Sequence, residues 1–193
     1  MKTHEKLKIL LLGDSFVGKS TLVNILRKKK QQDYAPTIFD NIYHYLDIDD
    51  SSYELDIRDT SGAPEYANLI TSNLRDVDVV IICFAVDNRV SFYNVKSYWC
   101  QKVIRIPTIL LGLKIDLRYN QDKESPIKII SYQEGLTLAE SLNTKYLEFC
   151  RTKNEKQQLE NIEQIFKLSL DYLHEKNKTN TEKTKSNKSC LIQ

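Results

Sequence analysis

Hydrophobic and polar positions follow two different rhythms along this chain. Short continuous apolar runs, "LKILLLG" (7–13), "VDVVIICFAVD" (77–87) and "PTILLGLKID" (107–116), read as strands buried on both faces. "TKYLEF" (144–149) reads as a last strand, and "NIYHYLDIDDSSYELDIRDT" (41–60) as two strands joined at Asp49, Asp50, Ser51 and Ser52. Helical spacing runs through "GKSTLVNILRKKK" (18–30), "SFYNVKSYWCQKV" (91–103, with Ser91 as N-cap), "YQEGLTLAESLN" (132–143, despite Gly135) and "KQQLENIEQIFKLSLDYLHE" (156–175). Strands alternating with helices predict an α/β fold: a mostly parallel six-stranded sheet with one antiparallel edge hairpin and helices on both faces. After Glu175 the apolar periodicity stops and Lys, Asn, Thr and Ser take over. The expectation is one domain over 1–175 and a disordered Lys-rich tail over 176–193.

Composition narrows the function classes. With 193 residues, 41% hydrophobic and 28% charged, the chain has the make-up of a soluble globular domain. A net charge of only +2, without a basic groove interleaved with aromatics, argues against nucleic acid as a partner. Cys83, Cys100, Cys150 and Cys190 form no CxxC pair, which fits neither a zinc site nor a disulfide framework, and Cys83 reads as a small buried hydrophobe. His4, His44 and His174 are scattered, and Trp99 reads as packing on a helix. The start lacks a secretory pattern and no run approaches the roughly 18 apolar residues of a spanning helix, so a reducing cytosol is expected.

Three motifs carry chemistry. "GDSFVGKS" (Gly13, Asp14, Ser15, Phe16, Val17, Gly18, Lys19, Ser20) follows a strand and opens a helix that continues into Thr21. Such a loop gathers backbone N–H groups into an anion nest at a helix N-terminus; Lys19 brings a point charge to the phosphates and Ser20 a hydroxyl to Mg2+. "DTSG" (59–62) closes a strand, where Asp59 can hold a magnesium-bound water and Gly62 lets a backbone N–H approach a γ-phosphate. "GLKID" (112–116) ends a parallel strand, the place where open α/β sheets bind ligands. A carboxylate at Asp116 can accept from both the N1–H and the amine of guanine, a donor pair that adenine lacks on that edge.

With these motifs in this order, the chain resembles the Ras superfamily of small GTPases, and the Rho family within it, over about residues 5–175. The resemblance implies a P-loop small GTPase fold, GTP or GDP as bound ligand and Mg2+ as cofactor. "YAPTIFDNI" (34–42) is similar to a Rho effector loop: Tyr34, Ala35, Pro36, Thr37, Ile38, Phe39, Asp40 and Asn41 would present a surface to effector proteins. Tyr34 would cover the phosphates, and Thr37 would join Ser20 and Asp59 at Mg2+. Lys114, Asp116 and Leu117, with Cys150 and Arg151, would form the guanine site. The segment 116–136 is shorter than the usual Rho insert, which implies a truncated insert helix.

Several positions depart from that pattern. The water-orienting Gln of the family aligns with Ala63, Ser15 stands where most relatives have Gly, Leu113 replaces the usual Asn or Thr, and Lys30 aligns with an aromatic. Ala63 has no side chain to guide an attacking water, and Ser15 crowds the γ-phosphate and the path of an arginine finger. Ser15 and Ala63 together resemble the Rnd subgroup, which implies a mainly GTP-bound, hydrolysis-deficient protein. Losing one neutral hydrogen bond at Leu113 implies roughly a tenfold affinity loss at the upper end, and so faster exchange rather than no binding.

"SCLIQ" ends the sequence as a C-a-a-X motif on Cys190, with an ending that favours farnesyl. Lys176, Lys178, Lys183, Lys185 and Lys188 precede it and supply the basic second signal that a single lipid needs. Maturation would remove Leu191, Ile192 and Gln193. The expected place is the cytoplasmic face of a membrane, the plasma membrane in particular, with a cytosolic pool. Two functional readings stand side by side: a GTP-loaded, membrane-anchored module recruiting effectors that act on actin and cell shape, and a slow working GTPase completed by an activating partner. An exchange factor is an expected partner of either, and a third reading is a pseudo-GTPase that holds nucleotide poorly.

Overall fold

The computed structural model describes residues 3–27, 38–48, 51–66, 70, 72–119 and 128–189. Tyr34, Ala35, Pro36, Thr37, Lys30, Asp49, Asp50, residues 120–127 of the expected insert segment and Cys190 to Gln193 lie outside them. Six strands form one sheet in the order β2-β3-β1-β4-β5-β6. They are β1 (Thr3–Leu12), β2 (Phe39–Ile48), β3 (Ser51–Thr60), β4 (Val79–Ala85), β5 (Thr108–Leu113) and β6 (Lys145–Phe149). Only β2 runs antiparallel, against β3; β1 pairs in parallel with β3 and β4, and β4, β5 and β6 continue in parallel. The architecture is the expected P-loop α/β fold. Ser51 and Ser52 belong to β3, paired with Ile48 and Asp47, rather than to the hairpin turn.

The continuous apolar runs become central strands because helices cover both faces. On one side, Leu7, Ile9 and Leu11 of β1 and Ile81 and Cys83 of β4 pack with Leu22, Val23, Ile162, Ile165 and Phe166. These come from α1 (Lys19–Leu26) and α4 (Glu155–Ser189). On the other side, Leu10, Leu12, Val80, Ile82 and Phe84 pack with Val95, Trp99 and Ala139. These belong to the long α2 region and to α3 (Tyr132–Ser141). The α2 region starts as an α-helix (Arg89–Asn94), passes through a π turn (Val95–Trp99) and ends in one short turn (Cys100–Lys102).

Local chemistry explains the helix ends, with one correction to the sequence reading. The N-cap of α2 is Asn88, whose side chain accepts from Ser91 N at 3.0 Å. Ser91 is instead fully buried, its hydroxyl donating to Asn88 O at 2.7 Å and accepting from Ala85 N at 3.2 Å. The last helix runs past Glu175 to Ser189, where the sequence pattern predicts a disordered tail. A helix nucleated by a packed apolar face extends at the cost of one residue for one hydrogen bond, and Lys and Glu are good helix formers. No described helix is long and apolar enough to cross a membrane.

Gly135 sits in α3 because a β-carbon there would lie 2.3 Å from the Tyr146 ring. The same helix opens with a capping box: Ser131 Oγ accepts from Glu134 N, and the Glu134 carboxylate accepts from Ser131 N at 2.9 Å. That backbone bond, followed by the Arg89 ion pair, holds the Glu134 carboxyl down to about 2. Ser131→Ala is expected to cost about 1 kcal/mol, a drop of roughly 2–4 °C in Tm by calorimetry, with nucleotide affinity unchanged.

Candidate nucleotide-binding site

The switch point of the sheet lies where β1 is flanked by β3 and β4, and the three motifs follow the carboxyl ends of β1, β3 and β5. The loop from Gly13 to Ser20 leaves β1 and feeds α1, whose N-cap Gly18 has φ +116° and offers no side-chain cap. A glycine at that position keeps side-chain atoms out of the helix entrance, where an anion can approach. Lys19 is only 5% exposed, and its Nζ donates to Gly13 O and Asp14 O, each at 2.8 Å. Burial pulls this ammonium below its ordinary pKa, opposed first by Asp59 and also by Asp14. Val17 is fully buried beneath the loop, whereas Phe16 is exposed with φ 63°.

The Asp59–Gly62 segment packs directly on this loop. Asp59, opposite Leu11 in the β1–β3 ladder, is 1% exposed, and the Thr60 hydroxyl donates to Leu11 O at 2.8 Å. Gly62 lies so close that a β-carbon there would stand 2.2 Å from Asp14 C and Ser15 N. Ala63 follows, its N–H donating to Ser61 Oγ at 3.2 Å.

At the other end, Lys114 adopts φ 62° and caps the 3-10 turn Ile115–Arg118 that carries Asp116 and Leu117. Lys114 Nζ lies 3.4 Å from Asp87 Oδ2. Cys150, just after β6, comes beside Asp116: burial raises its thiol pKa, and the Asp116 charge adds to the rise. Arg151 is exposed. Leu113 is 2% exposed, and its Cδ1 lies 3.5 Å from the position a β-carbon on Gly18 would take. The departure at Leu113 therefore places an apolar side chain at the end of β5 facing Gly18 of the phosphate loop.

A profile of the Ras family matches residues 8–174. The chain belongs to the Ras family. It is 40% identical over 153 residues to the GTP-binding protein rho3 of Schizosaccharomyces pombe, covering 76% of this chain and 74% of that protein. It is 30% identical over 196 residues to the Ras-like GTP-binding protein RhoL of Drosophila melanogaster, covering 99% and 96%. It is 32% identical over 153 residues to the Rho-related protein racM of Dictyostelium discoideum, covering 76% and 81%. The resemblance to Rho proteins within the superfamily thus rests on relatives from several organisms.

For this Ras-family protein, the donors at the loop fit the chemistry of Mg2+, which takes hard oxygens, few of them from protein. Ser20 supplies a hydroxyl from the first turn of α1, and Asp59 a buried carboxylate from the end of β3. In the segment that the sequence likens to an effector loop, Ile38 and Phe39 are 52% and 40% exposed. Asp40 is held by Arg27, whose Nη2 lies 2.6 Å from Oδ1 and also donates to Asn41 O at 2.9 Å.

Two sets of residues escape the motif reading. Arg118 donates to Ile130 O and to Glu148, each at 2.8 Å, and so fastens the base loop to β6. Trp99 does more than pack: its Nε1 donates to Asp14 Oδ1 at 2.7 Å. These pairs are separated by 30 and 85 residues, so no local pattern announces them.

Proposed function

We propose that this protein is a Rho-type signalling protein that holds guanine nucleotide with Mg2+, stays mainly in the GTP form and recruits effectors. The observation that carries the reading is the pairing of an intact phosphate cradle with a methyl group at position 63. Lys19 sits 2.8 Å from two loop carbonyls, Gly62 abuts the loop, and the next residue is Ala. Such a site keeps what binds and senses phosphate but lacks a side chain to align water. Ser20 and Asp59, joined by Thr37, are the residues for Mg2+, which when bound would neutralise phosphate charge. Asp116, with Lys114, Leu117, Cys150 and Arg151, is the guanine end. The Rnd-like character of Ser15 and Ala63 supports the GTP-loaded state, and the Rho-type effector segment supports partners acting on actin and cell shape.

The test is the nucleotide that copurifies with the protein, identified by chromatography of the denatured extract. GTP supports the proposal; GDP favours a working GTPase completed by an activating partner, and an empty site a pseudo-GTPase. Single-turnover hydrolysis follows. Ala63→Gln is expected to raise the rate by about tenfold or more, since a positioned polar group at a reacting water contributes at that scale. Native hydrolysis as fast as that of Gln-bearing family members overturns the GTP-loaded reading.

Cys190 and the lysines before it lead us to propose a prenyl anchor at the cytoplasmic face of a membrane, the plasma membrane foremost. Cys190→Ser is expected to move the protein from the membrane to the soluble fraction. Unchanged membrane association on fractionation counts against the anchor.

A further inference from the structure

Asp14 places a carboxylate inside an anion-binding loop, where its charge opposes the ligand. The structure turns that charge away. The backbone C=O of Asp14 accepts from Lys19 Nζ on one side, and the side chain is taken up by α2 on the other. Asn94 Nδ2 donates to Oδ2 and Trp99 Nε1 to Oδ1, both at 2.7 Å. Trp99 is 2% exposed, so the donor of this part-buried bond sees little water.

The π turn is what makes the double contact possible. In a regular α-helix, residues five apart point about 140° away from each other. Here the turn Val95–Trp99 closes with Cys100 N donating to Val95 O, an i→i+5 bond. That wider turn brings Asn94 and Trp99 onto one side of α2, as π turns at functional sites do. Gly62 abuts the carbonyl carbon of the same Asp14. One residue is therefore the junction of the phosphate loop, α2 and the Asp59–Gly62 segment.

We propose that Asn94 and Trp99 are positioning residues for the phosphate site. They hold the Asp14 carboxylate off the bound anion and tie the phosphate loop to α2, so that the state of the loop is transmitted to that helix. The proposal rests on the reading that the loop binds nucleotide phosphates. Because Trp99 is the sole tryptophan, its emission reports directly on the loop.

The experiment uses the full chain, fluorescently labelled GDP and Mg2+. Asn94→Ala and Trp99→Phe are each expected to speed GDP dissociation, on the order of tenfold for loss of a hydrogen bond to a charged group. In an Asp14→Ala background both effects should vanish, because the two donors act through that carboxylate. Native Trp99 emission should change when chelation releases the nucleotide, and Asp14→Ala should abolish the change. Should Trp99→Phe fail to fold, Asn94→Ala and the emission measurement still decide. Unchanged dissociation, or equal acceleration with and without Asp14, reduces Asn94 and Trp99 to packing and overturns the proposal. A native chain that binds no guanine nucleotide overturns the functional reading beneath it, a separate and recognisable failure.

Discussion

Lys19→Met is expected to leave a folded chain that no longer retains guanine nucleotide. An ammonium has three N–H donors. Two of those on Lys19 are committed to Gly13 O and Asp14 O at 2.8 Å, which holds the group in place and leaves one donor and the charge for phosphate. The side chain is 5% exposed, so that charge acts through little water. Losing a charged hydrogen bond together with its Coulomb attraction should cost about 4 kcal/mol of binding, roughly a thousandfold in Kd. Met keeps the length and apolar stem and removes the cost of burying a charge. The fold should survive, while the rise in Tm that nucleotide produces should disappear. Titration with fluorescent GDP, alongside melting with and without nucleotide, checks both halves. A variant binding within tenfold of native would refute the central role given to Lys19.

Gly13→Ala should be the most damaging small substitution in the phosphate loop. A β-carbon at Gly13 would stand 2.1 Å from Cys83 O and 3.0 Å from Cys83 C. Both belong to the backbone of β4, a strand buried along its whole length, which has no room to yield. The residue also has φ +136°, a conformation that suits glycine alone. Strain of this kind and overpacking each cost about 1–3 kcal/mol, together a large share of a typical domain's stability. A fall in Tm on the order of 10 °C is expected, with loss of soluble yield. Gly18→Ala is the control: φ is +116°, but a β-carbon there meets only the Leu113 side chain, at 3.5 Å. It should cost distinctly less by thermal or urea melting, and a reversed order of the two variants contradicts the steric argument.

Much of this architecture was legible because the information is local. Apolar runs such as 77–87 could only be doubly covered strands, and the loop 13–20 carries its glycines and Lys19 at spacings that a phosphate cradle requires. Local signals misled where two readings compete over a few residues. Ser91 has the chemistry of an N-cap, yet Asn88 takes that place because β4 ends at Ala85 and the Ser91 hydroxyl is needed at Ala85 N. The end of the apolar stripe near Leu173 marks where packing chemistry stops, and the helical backbone continues to Ser189.

The sequence by itself determined the sheet-and-helix order, the loop between β1 and α1 with its glycines and Lys19, and the absence of a Gln at position 63. Each is a matter of residue type at short spacing, and short spacing is what strand and helix periodicities read. Only the tertiary structure decided that Asp14 is held by Asn94 and Trp99, that Gly62 lies on the loop backbone, that Leu113 packs toward Gly18 and that Cys150 stands beside Asp116. Those contacts join residues that the sheet order and a single π turn bring together across long stretches of chain. Side-chain pairing at that range depends on where the backbone goes, which no local pattern encodes.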